Sequence, residues 1–479
     1  MTANISQRLD YFTKYLERSK LEKKLYQYEG LQWILQNELR VDPPCGIRGG
    51  FIADEMGLGK TIMMIGTMLC NFMYHTLIVV PPVLVDQWWL QIYRTTGHKA
   101  LIYHGNDKKT ISIQHLKAAK IVITTYGAIT LTKTQIKDDV TTLLHCINWD
   151  RIIFDEAHHL RNSKTTRYIS SKLLTARIRW LVSGTPIQNS KKDFYSLCSI
   201  IRLPASYYTE NDNLRELAKS FILKRTKKQV GILITDVVLD KNIIAWNNVS
   251  EMKLSEDIHS ALQFSRVPAN SEHKISSVLE KSSTLKLMLH ARQSCILPKL
   301  IAKHLPQTLI HKEYNDAFNS TSKLDTVVAS ILERKDNGSG KLIFCHFREE
   351  IDEIATRLRA GGMHKVATFD GRTTHTKRFH LLNDAYDALV LQIQTGCEGL
   401  NLQEKYSEIY FISPHWNPAI EDQAIARCHR IGQTKTVFVL RFEMDKFIQD
   451  DHLIVTRTVE NYVESVQENK RAIANEFIV

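Results

Sequence analysis

The sequence predicts an α/β protein with parallel sheets in two tandem units. Three observations carry this. A Gly-rich turn at Gly49–Thr61 joins a short apolar run to an apolar helical pattern. Strand-like runs then alternate with helical ones through the first half, and the alternation resumes near Lys323 after a stretch where it fades. Strands interleaved with helices pair in parallel and carry helices on both faces.

The length of 479 residues corresponds to about three domains at roughly 150 residues each, enough for large cores. Hydrophobic and charged contents of 43% and 24% lie in the globular range and exclude wholesale disorder. A net charge of +12 favours a polyanionic partner, since Lys and Arg that neutralise phosphates release counterions. The eight cysteines lie far apart with no Cys-x-x-Cys pair, which argues against zinc fingers and a disulfide framework and fits a reducing compartment. Met1 to Lys20 has no signal-peptide core, and the apolar region Thr61–Val85 is broken by Asn71, His75 and Pro81-Pro82. A soluble intracellular protein with no membrane partner is expected.

Residues 1–24 read as a charged amphipathic lead-in. Leu25 to Ile34 predicts a helix with Leu31, Ile34 and Leu35 on one face. Gln27 offers a donor and an acceptor to an adenine edge, though a surface Gln on an ordinary helix fits the residues as well.

The run Phe51–Ala53 then enters Asp54-Glu55-Met56-Gly57-Leu58-Gly59-Lys60-Thr61. Glycines let backbone N–H groups face phosphate oxygens, and a helix N-terminus adds partial positive charge. Lys60 is placed to reach the β and γ phosphates of a nucleotide and Thr61 to ligate Mg²⁺. Asp54 departs from the strict pattern, which has Gly or Ala there.

Thr76–Val80 and Lys120–Thr124 read as strands, Val83–Arg94 as a helix, with a further helical stretch around Tyr126. Arg151–Asp155 is an apolar strand ending in Asp155-Glu156-Ala157-His158. Adjacent carboxylates at a strand end suit metal-dependent phosphohydrolysis, Asp155 holding Mg²⁺ and Glu156 activating water. An acidic helix N-terminus would look the same in isolation. Arg179–Ser183 is another strand, entering Ser183-Gly184-Thr185-Pro186-Ile187-Gln188-Asn189. Ser183 and Thr185 could relay between the nucleotide and a second bound polymer, or form a turn into a helix cap.

In the second half, Lys341–Cys345, Val366–Phe369, Ala388–Ile393, Glu408–Ile412 and Thr436–Phe442 read as strands, and Glu349–Ala360 as a helix stopped by Gly361-Gly362. This half lacks a phosphate loop, so it must act on the nucleotide held by the first. Arg427 and Arg430, three residues apart on a helix from Pro418, are expected to share a face and to stabilise charge on a transferring phosphoryl group. A lone Arg-x-x-Arg is otherwise a solvated basic face.

These motifs together resemble the Swi/Snf-like family of DNA-dependent ATPases, in helicase superfamily two. The residues that carry the resemblance are Asp54–Thr61, Asp155–His158, Ser183–Asn189 and Gln423-Ala424-x-x-Arg427-x-x-Arg430-Ile431-Gly432-Gln433, spread from about Leu25 to Lys470. That family writes Asp at position 54. The resemblance implies two tandem RecA-like lobes with helical insertions and a C-terminal brace helix. Its divisions would be a nucleotide lobe at 25–226, a connector with protruding helices at 227–320, a second lobe at 321–445 and a C-terminal brace at 446–479.

It also implies that Asp54, Glu55, Met56, Gly57, Leu58, Gly59, Lys60, Thr61 and Gln27 hold ATP, with Thr61 and Asp155 on Mg²⁺. Glu156, Arg427 and Arg430 would be catalytic. Ser183, Thr185, Gly399, Asn401 and Gln423 would couple the nucleotide to duplex DNA. Cys397, in Thr395–Leu402, stands where the family has glycine. Ile222–Lys227 resembles the basic segment leaving the first lobe, and Leu289–Cys295 the family's helical Arg-Gln segment, which on charge alone would be a solvated face. The compactness of the chain is similar to that of the baculovirus global transactivator-like proteins. The expected activity is an ATP-driven translocase that remodels protein–DNA complexes, nucleosomes or transcription complexes among them, in the nucleus. The alternatives are an RNA helicase of the same superfamily or a non-enzymatic regulator on this fold.

Overall fold

The computed structural model describes residues 2–185, 190–262, 283–305, 314–374, 381, 384–396, 402–448 and 455–477. The chain forms two compact units, Met1–Leu233 with Ala472–Val479, and Ile234–Arg471.

The first unit contains a seven-stranded sheet: β1 (Arg48–Ile52), β2 (Thr76–Val80), β3 (Leu101–Tyr103), β4 (Ile121–Thr125), β5 (Asn148–Asp155), β6 (Thr175–Val182) and β7 (Ile222–Leu223). Its order is β3-β4-β2-β5-β6-β1-β7, and every pairing is parallel. The strands are apolar on both sides because both faces are covered. Ile78, Val80, Ile153 and Trp180 point to one core, under the helices Thr2–Arg18, Leu25–Leu39, Lys60–Cys70 and Val85–Thr96. Leu77, Val79, Ile152, Phe154 and Leu181 point to the other, with Phe194, Leu197 and Leu217 from later helices. One polar knot interrupts the first core. Glu38, with no side-chain exposure, accepts from Arg151 Nε (2.7 Å), Trp180 Nε1 (2.8 Å) and Asn71 Nδ2 (2.7 Å). Charges buried this deeply persist when each is paired and hydrogen-bonded.

The strand order puts the carboxyl ends of β1, β6 and β5 side by side. The segments that follow them begin at Ala53, Ser183 and Glu156, so motifs far apart in sequence meet at one edge of the sheet. Ligands of parallel α/β sheets bind at such an edge.

The second unit has a six-stranded parallel sheet in the order β10-β11-β9-β12-β13-β8, from β8 (Val237–Ile244), β9 (Gly340–Cys345), β10 (Val366–Phe369), β11 (Ala388–Gln392), β12 (Tyr406–Phe411) and β13 (Val437–Met444). It begins well before Lys323. β8 pairs with β13 along its whole length, and the helices Val249–Ser260 and Thr284–Ile296 place Leu254, Ile258, Ala291, Cys295 and Ile296 in this unit's core. The described part of 227–320 is thus largely built into the second unit rather than being a connector with protruding helices. β8 escapes a periodicity argument because it is an edge strand that leaves Val238, Leu239 and Ile243 exposed.

Leu289–Cys295 is also not a solvated face. His290, Arg292 and Ser294 are buried, and Arg292 donates to the Pro414 carbonyl (3.0 Å) while its guanidinium lies over Trp416. Partners more than a hundred residues away offset the cost of burial, which helical periodicity cannot foresee. The last helix, Val459–Phe477, contributes Val459 and Val463 to the second core, and its buried Glu460 accepts from Lys323 Nζ (2.5 Å) and Met444 N (2.8 Å).

Candidate nucleotide site

β1 runs into the loop 53–59, which turns back through Gly57 (φ 92°) and Gly59 (φ 79°) into the helix Lys60–Cys70. These left-handed angles favour glycine. At Gly59 a Cβ would also lie 2.4 Å from Gln27 Nε2, so the end of the Gln27 side chain would have to shift to admit one. Gln27 is buried and donates to the Leu58 carbonyl (3.2 Å), so the candidate base-reading residue packs against the loop. The cap position is Gly59, which has no side chain to cover the helix N-terminus, the kind of end at which anions bind. Lys60 Nζ donates to the Asp54 carbonyl at 2.7 Å. A Cβ on Gly184 would come within 3.4 Å of that ammonium and 3.0 Å of Met56 Cγ, so the loop after β6 approaches through a glycine.

Asp54 and Glu55 do not face this cradle. Asp54 is buried, and its two oxygens take Arg225 Nε (3.1 Å) and an Arg225 terminal nitrogen (2.5 Å). Glu55 pairs with Lys227 through Nζ (3.2 Å) and the backbone N–H (2.8 Å). Both carboxylates anchor the loop to residues 225–227, so what these two positions could offer a nucleotide is their backbone. The missed residues are Arg225 and Lys227, and the basic run Lys224–Lys228 was the signal available for them.

Asp155 ends β5 nearly buried. Its oxygens accept from Trp88 Nε1 (2.7 Å) and the Glu156 N–H (3.0 Å), while Tyr126 Oη donates to its backbone carbonyl (2.7 Å). Burial, and then the charge of Glu156, push its carboxyl up to about 6 against the opposing pull of Trp88 and Lys60. Glu156 adopts φ 49°, ψ 50°, a left-handed conformation that costs a non-glycine residue energy and recurs where geometry serves function. His158 Nδ1 lies 3.4 Å from a Glu156 carboxylate oxygen. Trp88, Tyr126 and His158 surround the acidic pair, and of these only His158 belonged to a recognised motif. Ser183 N donates to the Ile52 carbonyl (3.1 Å) and Thr185 N to Ser183 Oγ (3.3 Å), which sets this turn against the start of the loop. Pro186–Asn189 lie outside the described residues.

In the second unit the helix Pro418–Cys428 starts from an Asn417 cap and carries Gln423 and Arg427. Gln423 is 1% exposed, so a polynucleotide could not touch it in this conformation. Arg430 is not on the helix, contrary to the expectation of one shared helical face. The chain leaves the helix at His429, and the turn beyond it is held by Gln433 Nε2, whose two hydrogens are within reach of the carbonyls of Gln403 (2.9 Å), Tyr406 (3.0 Å) and Cys428 (3.3 Å), with Gly432 at φ 98°. Arg427 and Arg430 are nonetheless near neighbours. Burial, and then the charge of Arg427, pull the Arg430 guanidinium below its usual range. Gly399 and Asn401, like Cys397, lie outside the described residues.

A model of the SNF2-related domain matches residues 26–300, more than half the chain. The chain belongs to the SNF2-related family. In this SNF2-related protein a helicase conserved C-terminal domain matches residues 322–432, so it is a helicase-like ATPase.

It is 25% identical over 94% of its length, and 90% of the relative's, to a "Probable global transactivator" of Orgyia pseudotsugata multicapsid polyhedrosis virus. It is 25% identical to the "ATP-dependent DNA helicase DDM1" of Arabidopsis thaliana, over 89% of this chain and 59% of that protein. With "ISWI chromatin-remodeling complex ATPase ISW1" of Saccharomyces cerevisiae it shares 26% over 89% and 39%. The chain therefore spans most of the viral relative and a smaller part of these two. The solved "Sulfolobus solfataricus SWI2/SNF2 ATPase core in complex with dsDNA" aligns over 96% of this chain and 93% of that one, at 20% identity and a TM-score of 0.41.

The residues present fit ATP. The glycine loop, the uncapped helix end and the lysine supply donors to phosphate, and Gly184 keeps the loop after β6 free of a Cβ beside Lys60. The donor set of Thr61 hydroxyl and Asp155 carboxylate, hard oxygens both, is of the kind Mg²⁺ takes.

Proposed function

We propose that this SNF2-related ATPase uses ATP hydrolysis to move along duplex DNA and to remodel protein–DNA complexes in transcription or chromatin regulation, in a nucleus, the host's if the chain is viral. The observation that supports this is the meeting of the phosphate loop, the acidic pair Asp155-Glu156 and the Ser183 turn at the adjoining ends of β1, β5 and β6. Lys60 and the loop N–H groups hold the phosphates. Thr61 and Asp155 hold Mg²⁺, which when bound neutralises charge on the phosphate oxygens. Glu156 accepts the proton of the attacking water from a left-handed turn at the end of β5. Arg427 and Arg430 offer guanidiniums to the transferring phosphoryl group. Ser183, Thr185, Gly399 and Asn401 remain candidates for coupling to the polynucleotide.

The names of the relatives, a transactivator, a DNA helicase and a chromatin-remodelling ATPase, favour DNA as the track, and the net charge of +12 agrees. The test is ATP turnover with and without duplex DNA, combined with displacement of a triplex-forming strand and unwinding of a forked duplex. Stimulation by duplex with triplex displacement is expected. Turnover indifferent to duplex DNA removes the translocase reading, and stimulation by single-stranded RNA alone selects the RNA-helicase alternative.

A further inference from the structure

The phosphate loop is joined to the last segment of the first unit as though the two were one piece. β7 pairs with β1 in the register Phe51↔Ile222 and Ile52↔Leu223. The ladder continues past both strands, with Ala53 N donating to the Leu223 carbonyl (2.7 Å) and Glu55 N to that of Arg225 (2.9 Å). Side chains reinforce it. The Arg225 guanidinium grips both oxygens of Asp54, also donates to the Tyr26 carbonyl, and lies 5.6 Å from the Tyr26 ring centroid. Gly30 makes room for it, since a Cβ there would sit 2.6 Å from an Arg225 nitrogen. Lys227 then closes on Glu55. Thr226 and Gln229 lock the next turn through reciprocal bonds of 2.7 and 3.2 Å, and the first unit ends at Leu233.

We infer that Arg225 is a positioning residue that carries the state of the phosphate loop into the segment 222–233, from which the chain passes to the second unit. Lys60 holds the backbone carbonyl of Asp54, and Arg225 holds the side chain of the same residue. A phosphate that draws Lys60 toward itself changes the load on Asp54, and the bidentate pair transmits that change because a planar fork resists rotation in a way a single contact does not. The inference rests on the nucleotide-site part of the proposed function but not on the identity of the track.

The experiment is amide hydrogen exchange of the full chain with and without ATPγS and Mg²⁺, in wild type, Arg225→Met and Arg225→Lys. In wild type, nucleotide changes the exchange rate across residues 222–233 by about tenfold, the scale of one charge-assisted hydrogen bond gained or lost. In Arg225→Met the loop 53–61 is still protected by nucleotide, while 222–233 responds by less than about twofold. If the Met variant does not fold, Arg225→Lys decides, because it keeps the charge and lacks the fork. A Lys variant with a diminished response supports the inference. Either folded variant responding like wild type overturns it, as does a wild type with no response in 222–233. Loss of duplex-DNA stimulation in wild type would sink the translocase reading while leaving this comparison intact.

Discussion

Trp88 Nε1 donates a 2.7 Å hydrogen bond to Asp155 Oδ2, and the ring that supplies it is 1% exposed. With the Glu156 N–H on the other oxygen, this donor fixes the carboxylate's orientation at the end of β5. It also favours the ionised form that burial opposes. Trp88→Phe keeps the ring and removes the N–H. Turnover at neutral pH is expected to fall by roughly ten- to a hundredfold, the worth of one hydrogen bond to a charged group. The acid limb of the pH–rate profile should move upward, since Asp155 loses a stabiliser of its charge. A profile that stays in place would leave Trp88 a packing role only.

Asp155 should lower stability in exchange for function. Its carboxyl is raised from 3.8 to about 6, so the folded state prefers the protonated acid. Folding therefore takes up a proton between about pH 4 and 6, and the stability lost grows across that window and levels off above it. The ceiling is on the order of 3 kcal/mol. Asp155→Asn should melt higher than wild type at pH 7, match it near pH 4, and hydrolyse no ATP. Thermal melts at the two pH values read the first part, phosphate release the second.

Lys60→Ala is expected to abolish nucleotide binding or turnover, measured by equilibrium binding of a fluorescent ATP analogue and by phosphate release. Binding and turnover both at wild-type level would remove Lys60 from the phosphate role.

Arg430→Ala should spare ATP binding and cut hydrolysis by about 10³ or more, as for arginine fingers elsewhere. Full turnover in this variant would contradict the role. Because Gln433 folds the turn that carries Arg430, Gln433→Ala should show a weaker form of the same defect, with binding again unaffected.

Much of the fold was legible because strands buried on both faces announce themselves. Thr76–Val80 and Val366–Phe369 are observed with the bounds the sequence predicts. β8 was not legible, since an exposed edge strand carries neither a continuous apolar run nor a clean alternation. At the proposed site, Gly57, Gly59, Lys60 and Asp155-Glu156 were legible as candidates because phosphate and metal chemistry would call for those residue types in that order. Arg225, Trp88 and Tyr126 were not, because each serves through a partner brought near only by the strand order. The helical spacing of Arg427 and Arg430 misled for a related reason: the turn at His429 is held by an amide from Gln433, and local periodicity carries no trace of it.

Lys60 does not wait as a naked cation, for its ammonium already rests on the oxygen of Asp54. In its proposed role, an arriving triphosphate competes with that carbonyl for the ammonium, so its net grip is smaller than its bare attraction. When the γ-phosphate departs, the lysine has somewhere to return. A molecule that must let go of its fuel at every cycle is served by having its strongest hand half-occupied from the start.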